Sequence, residues 1–250
     1  MSSFSTVIIL LAITATSLFV VSLINQRQTR ARLINQKLQK MKRRVSELEE
    51  LSAILEPLVD DVQTPQTINE EAVDLIESML RLAPGNAYYR MSLDTAQQRR
   101  ADLATPGRKI ETFRLMESDA SIARSQYALS EAARIVRKRH AAGHLQEAEM
   151  ENMIKDLSWA NFMIKITSNV AQGHKAINRD DVLRAYSYYR KALAVATEGS
   201  YNNPKQNQII SEMGEILSGK RRALSTSLMP ETMHNPTKDA PTMDELKPED

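Results

Sequence analysis

The sequence predicts an all-α protein, and three observations carry that prediction. Ala, Leu, Glu, Arg, Lys, Gln and Met, all good helix formers, dominate the 250 residues. Only seven glycines and nine prolines occur, and the prolines gather at expected joints and toward the end of the chain. After residue 24 no run of Val, Ile, Thr and aromatic residues alternates at period two, as a half-buried strand would. The length suffices for one sizeable helical domain or two small ones.

The first element is apolar. Residues 4–24, FSTVIILLAITATSLFVVSLI, carry no charge, no Pro and no Gly. At ~1.5 Å per residue, such a helix matches the ~30 Å hydrocarbon core of a bilayer. A cleaved signal peptide would need a basic start, a shorter apolar run and a small-x-small exit, and none of these is present. We therefore expect an uncleaved transmembrane helix. Its Ser and Thr hydroxyls can bond back to the preceding turn. Arg27, Arg30 and Arg32 lead a stretch of eight bases and no acid over residues 27–44, whereas no charged side chain precedes the span. The positive-inside rule then leaves residues 1–3 outside and the rest cytoplasmic. The chain's size and build suit a bacterial inner membrane.

Residues 25–57 read as a basic juxtamembrane helix with a heptad seam. Ile34, Leu38, Met41, Val45, Leu48 and Leu55 follow alternating steps of four and three, with Ser52 as the polar interruption, up to Pro57. Two readings are open: a coiled-coil stalk that self-associates through residues 34–55, which is preferred, or an amphipathic helix packed on its own domain. Asp60–Gln66 reads as a linker.

An α-helical domain is expected over residues 67–224. Thr67 and Glu70 have the form of a capping box that starts a helix, which Ala83-Pro84-Gly85 ends. A second helix follows from about Asn86 to Leu103, antiparallel to the first if the joint is short. Pro106-Gly107 is a break. Longer helical stretches are expected over 109–142, 145–176, 180–197 and 204–223, with Gly143 as a C-cap. AVDLIESMLRLAPGNAYYRMSL, with Ala72 and Pro84, resembles a tetratricopeptide repeat (TPR), and so do Gly173, Ala185, Tyr189 and Ala192 in GHKAINRDDVLRAYSYYRKAL. The resemblance implies TPR-like antiparallel hairpins, in which small residues let two helices approach closely and an aromatic fills the groove beside them. Adjacent Tyr188 and Tyr189 cannot share one helix face, so one of them is available to a peptide-binding groove.

Residues 225–250 hold four prolines, six acids and two lysines, a composition expected to be a disordered acidic tail.

Chemistry is sparse. The absence of cysteine excludes disulfides, thiolate metal sites and a cysteine nucleophile. His140 and His144 stand four apart, but Gly143 intervenes and no third ligand is evident, so no metal site is expected. No Walker loop, GxGxxG or GxSxG occurs, and no cofactor or catalysis is expected. Arg134, Arg137, Lys138 and Arg139 form a candidate basic patch, yet residues 45–224 are slightly acidic and aromatics do not interleave with these bases. Nucleic-acid binding is therefore disfavoured. The function expected is a membrane-anchored cytoplasmic scaffold or adaptor that recruits a protein partner. The alternatives are an accessory subunit of a membrane complex, packed through Ala12, Ala15 and Ser22 of the span, and a basic-patch binder of nucleic acid or anionic lipid.

Overall fold

The computed structural model describes residues 3–105, 111–199, 201 and 203–237, with side chains described from Thr16 onward except Val20. Among the described residues there are helices and no strand. In chain order the helices are α1 (Ser3–Leu55), α2 (Gln63–Leu82), α3 (Ala87–Leu103), α4 (Asp119–Ala141), α5 (Glu147–Ile177), α6 (Val182–Glu198) and α7 (Pro204–Leu217). The fold is all-α. Among the described residues no helix is long and apolar enough to cross a membrane. Of the expected span, the side chains of residues 4–15 and Val20 lie outside the described ones, while its backbone is the helical start of α1.

Two compact units divide the chain, one built from residues 1–48 with 71–98, the other from 49–70 with 99–250. In the first, Leu38 and Val45 of α1 pack with Val73, Ile76 and Met79 of α2 and Ala96 of α3. The α2–α3 joint is short because Pro84 cannot continue the α2 ladder, and Asn86 Oδ1 then accepts from the Tyr88 amide at 3.0 Å to start α3. Lys42 Nζ lies 4.6 Å from the centre of the Tyr88 ring.

This packing corrects the stalk. Leu38, Val45, Leu48 and Leu55 are buried within the chain, Met41 is partly covered, and Ile34 alone of the seam is exposed. A heptad seam says that one stripe of a helix is apolar, not what covers it. Here the chain itself covers it, so the seam is not a free surface for a second copy. Ser52, the polar interruption, is buried and donates to the Pro65 carbonyl at 3.0 Å.

In the second unit α5 is central and packs against α4 and α6, while α6 packs against α7. Its core draws Trp159, Phe162, Ile166 and Val170 from α5, Ala185, Tyr189 and Ala192 from α6, and Ile209 and Met213 from α7. The helix ends are capped in sequence-legible ways. Ser118 and Ser121 bond reciprocally at α4, the Gln146 amide donates to Glu149 at 2.9 Å at α5, and Asp181 accepts from the Arg184 amide at 3.2 Å at α6. Asn203 accepts from the Lys205 amide at 3.0 Å, with Pro204 as the first residue of α7. Gly143, at φ +78°, closes α4 in the left-handed region.

Three boundaries differ from expectation. Helix α2 begins at Gln63 inside the expected linker, because Pro65 is tolerated in a first turn that needs no amide from it. Thr67 is therefore buried inside the helix, bonded to Met153 Sδ at 3.6 Å rather than capping, and Glu70 pairs with Arg100 at 3.2 Å and Arg139 at 3.5 Å. Residues 111–117 are not helical, and α4 waits for the Ser118 cap. That stretch is held otherwise: Thr167 Oγ1 donates to the Arg114 carbonyl at 2.9 Å, and Ser168 Oγ accepts from the Met116 amide at 3.0 Å.

The third difference is the start of the expected disordered tail. Leu224, Leu228 and Met229 belong to the core, and Glu231 is buried and accepts from the Arg114 amide at 2.6 Å. Average composition hides three apolar residues that one turn brings to one side, with the Leu228 and Met229 amides both donating to the Ser225 carbonyl. Residues 238–250 of that tail lie outside the described ones.

Candidate partner-binding groove

The close contact of α5 and α6 starts at Gly173. A Cβ built there would meet Tyr189 at 2.6 Å from Cδ1 and 2.9 Å from Cζ, so only glycine lets the ring lie against the α5 backbone. Ala185, Tyr189 and Ala192 are all buried along the same seam. Burial in apolar surroundings pushes the Tyr189 phenol up. Ala72 is buried in the other unit, and exposed Pro84 accepts from Arg90 Nη2 at 3.1 Å through its carbonyl.

With Tyr189 turned inward, Tyr188 turns toward α4. There a groove of about 400 Å³ runs between α4, α5 and α6. Its walls are three helix faces at helical spacing. Lys165, Asn169 and Gln172 come from α5, Tyr188, Lys191 and Val195 from α6, and Ile122 and Gln126 from α4, with Glu117, Ser118 and Asp119 at one end. The groove is mixed in character: amides that can bond a peptide backbone, a phenol, two ammonium groups and short apolar strips. Arg184 stacks 5.9 Å from the Tyr188 ring centre and hydrogen-bonds its hydroxyl, which orients the ring. Gln172 Nε2 donates to the Glu117 carbonyl at 3.1 Å and fixes the acidic end of the groove on α5.

Next to that end sits a buried histidine. His174 is fully covered, and neither ring nitrogen has a hydrogen-bond partner among the described residues. Burial, assisted by the charge of His234, lowers its pKa to about 4, so the ring is neutral at ordinary pH. His234 Nε2 lies 3.4 Å from Glu117 Oε1, and Lys175 Nζ lies 3.7 Å from the same oxygen.

The candidate basic patch is not one patch. Arg139 is buried and paired with Glu70, and Arg134 forms a two-pronged bond with Glu131 at 2.7 Å, leaving Arg137 and Lys138 as the exposed members. Helical periodicity explains this, since four nearly consecutive residues must point to different sides. His140 Nδ1 lies 3.1 Å from the Leu145 carbonyl, His144 is exposed, and among the described residues no group of three metal-ligating side chains is placed to hold an ion. Arg27, Arg30 and Arg32 are all exposed on α1.

Sequence reasoning missed Arg114. It is buried, its Nε donates to the Leu58 carbonyl at 2.7 Å, and its Nη2 pairs with Asp60 at 2.9 Å. It also missed Lys165, Asn169 and Gln172, whose signal was a polar strip running beside the apolar one on α5. No family model, no curated protein and no solved structure matches this chain.

Proposed function

We propose that the chain is a membrane-tethered interaction module, held by residues 4–24 and offering a helical groove to a protein segment rather than carrying out catalysis. One observation supports the tether above others. Leu18, Phe19, Val21, Leu23 and Ile24 all stand exposed, Leu18 and Phe19 at 71% and 65% of their full area. At ~100° per residue they point to every side of α1, where a helix packed on a soluble core would show one apolar stripe. Apolar surface of this kind needs a cover, and lipid covers all sides at once. The exposed Arg27, Arg30 and Arg32 that follow give the polarity: the domain on the cytoplasmic side, the first residues outside. The α5–α6 hairpin is read as TPR-like because a glycine, two alanines and an aromatic make its contact.

Membranes carrying the full chain test this. The protein is expected to stay in the pellet after a carbonate wash, and protease added outside intact cells is expected to leave the helical domain uncut. Release by carbonate, or digestion of the domain from outside, overturns the reading.

A further inference from the structure

We propose that the groove between α4, α5 and α6 is occupied by the chain's own acidic segment, residues 238–250, with Asp244 and Glu245 lying on Lys165 and Lys191. The proposal rests on reading the groove as a peptide-binding surface and names its resident occupant.

Three observations converge. First, Lys165 and Lys191 line the groove, and neither ammonium has an ion-pair partner among the described residues. Second, the chain arrives at the right place. The Thr237 amide donates to Asn178 Oδ1 at 3.3 Å, Asn178 Nδ2 donates to the His234 carbonyl at 3.3 Å, and His234 sits beside Glu117 at the acidic end of the groove. Third, charge and length agree. Lys238 would follow directly at the Glu117 and Asp119 end, and the acids come later: 238–250 holds five carboxylates against two lysines. From Asn178 back to Lys165 is thirteen residues of α5, about 20 Å at ~1.5 Å each. From Thr237 to Asp244 and Glu245 is seven to eight residues, about 23–27 Å when extended at ~3.3 Å each. The segment, basic then acidic, thus meets a groove that is acidic then basic, in register.

Each exposed ion pair is weak by itself, but a covalently attached segment acts at high effective concentration, so occupancy is intramolecular and sensitive to salt. A partner with an acidic segment would have to displace it.

The test is zero-length carbodiimide cross-linking of the detergent-solubilised full chain, read by peptide mass spectrometry, on a mixture of isotopically light and heavy protein. Cross-links from Asp244 or Glu245 should concentrate on Lys165 and Lys191 over the surface controls Lys155 and Lys220. They should join peptides of like isotope and fall by roughly fivefold at high ionic strength. Cross-links spread evenly over the controls, mixed in isotope, or absent overturn the proposal. A second readout avoids any change to the folded part: with Asp244→Asn and Glu245→Gln, acylation of Lys165 and Lys191 should speed up, and an unchanged rate also overturns it. Neither readout depends on the tether, which carbonate extraction measures separately.

Discussion

At Gly173 and His174 two adjacent side chains carry opposite lessons about the same helix. Gly173 is there because of what a methyl group would strike. Gly173→Ala should destabilise the domain by about 1–3 kcal/mol, since the Tyr189 ring must move and its buried neighbours are packed around it. The matched control is Gly214→Ala in α7, where a Cβ meets nothing within 4 Å; relief of the glycine's backbone entropy should stabilise by about 0.5–1 kcal/mol. Urea unfolding of both variants checks the pair, and equal effects would sink the argument. His174 instead ties stability to pH. Its folded pKa of about 4 lies below the ordinary value of 6.5, so the unfolded chain binds the proton more readily across that interval. This contribution is fully present above about pH 6.5 and drains away as pH falls toward 4, amounting to about 3 kcal/mol when complete. Unfolding midpoints measured across that window should be steeper in the wild type than in His174→Phe. Parallel curves would mean that the ring is not desolvated as described.

At the scale of elements, what the sequence made legible was what one period or one cap determines. Helix α5 was visible from Ile154, Leu157, Ile166 and Val170, α6 from its Gly-Ala-Tyr-Ala contact with α5, and α7 from Asn203-Pro204. The seam of α1 was visible too, but not its cover. Whether an apolar stripe meets a second copy or the chain's own α2 and α3 depends on contacts distant in sequence, and periodicity carries no information about those. The groove was half legible. Two adjacent tyrosines had to face apart, which implied an outward Tyr188, whereas Lys165 and Gln172 became neighbours of it only through the docking of α4 and α6 on α5. The segment after α7 was misjudged because composition averages over position. It yields a prediction at this scale: Leu228→Asp with Met229→Asp should free the strap and cost about 4–8 kcal/mol by removing two buried side chains. The loss is shared with the Glu231 bond to Arg114, so Glu231→Gln alone should be milder. Limited proteolysis is the readout. The double variant should be clipped between residues 224 and 237 well before the wild type, and equal resistance would show that the strap does not depend on those side chains.

For the whole molecule the decisive balance is that of the first helix with lipid. Residues 4–24 contain thirteen Leu, Ile, Val and Phe side chains, each favouring insertion by about 0.3–0.6 kcal/mol, or roughly 4–8 kcal/mol together before the hydroxyls are counted. One central charge costs about 2.5–3.5 kcal/mol on the same scale, so one leaves insertion favourable or near balance and two remove most of it. Ile13 and Ala15 lie near the middle of the segment. Ile13→Arg alone should therefore leave most of the chain in the carbonate-washed pellet, whereas Ile13→Arg with Ala15→Arg should move most of it to the supernatant. The helical domain should remain folded in both, because its cores draw no side chain from before Leu38. Circular dichroism of the released fraction verifies that. Should the doubly charged variant still pellet while folded, the chain is held to the membrane by a surface other than this segment. The exposed side chains around Leu18 and Phe19 would then have to be explained by a protein that encircles them.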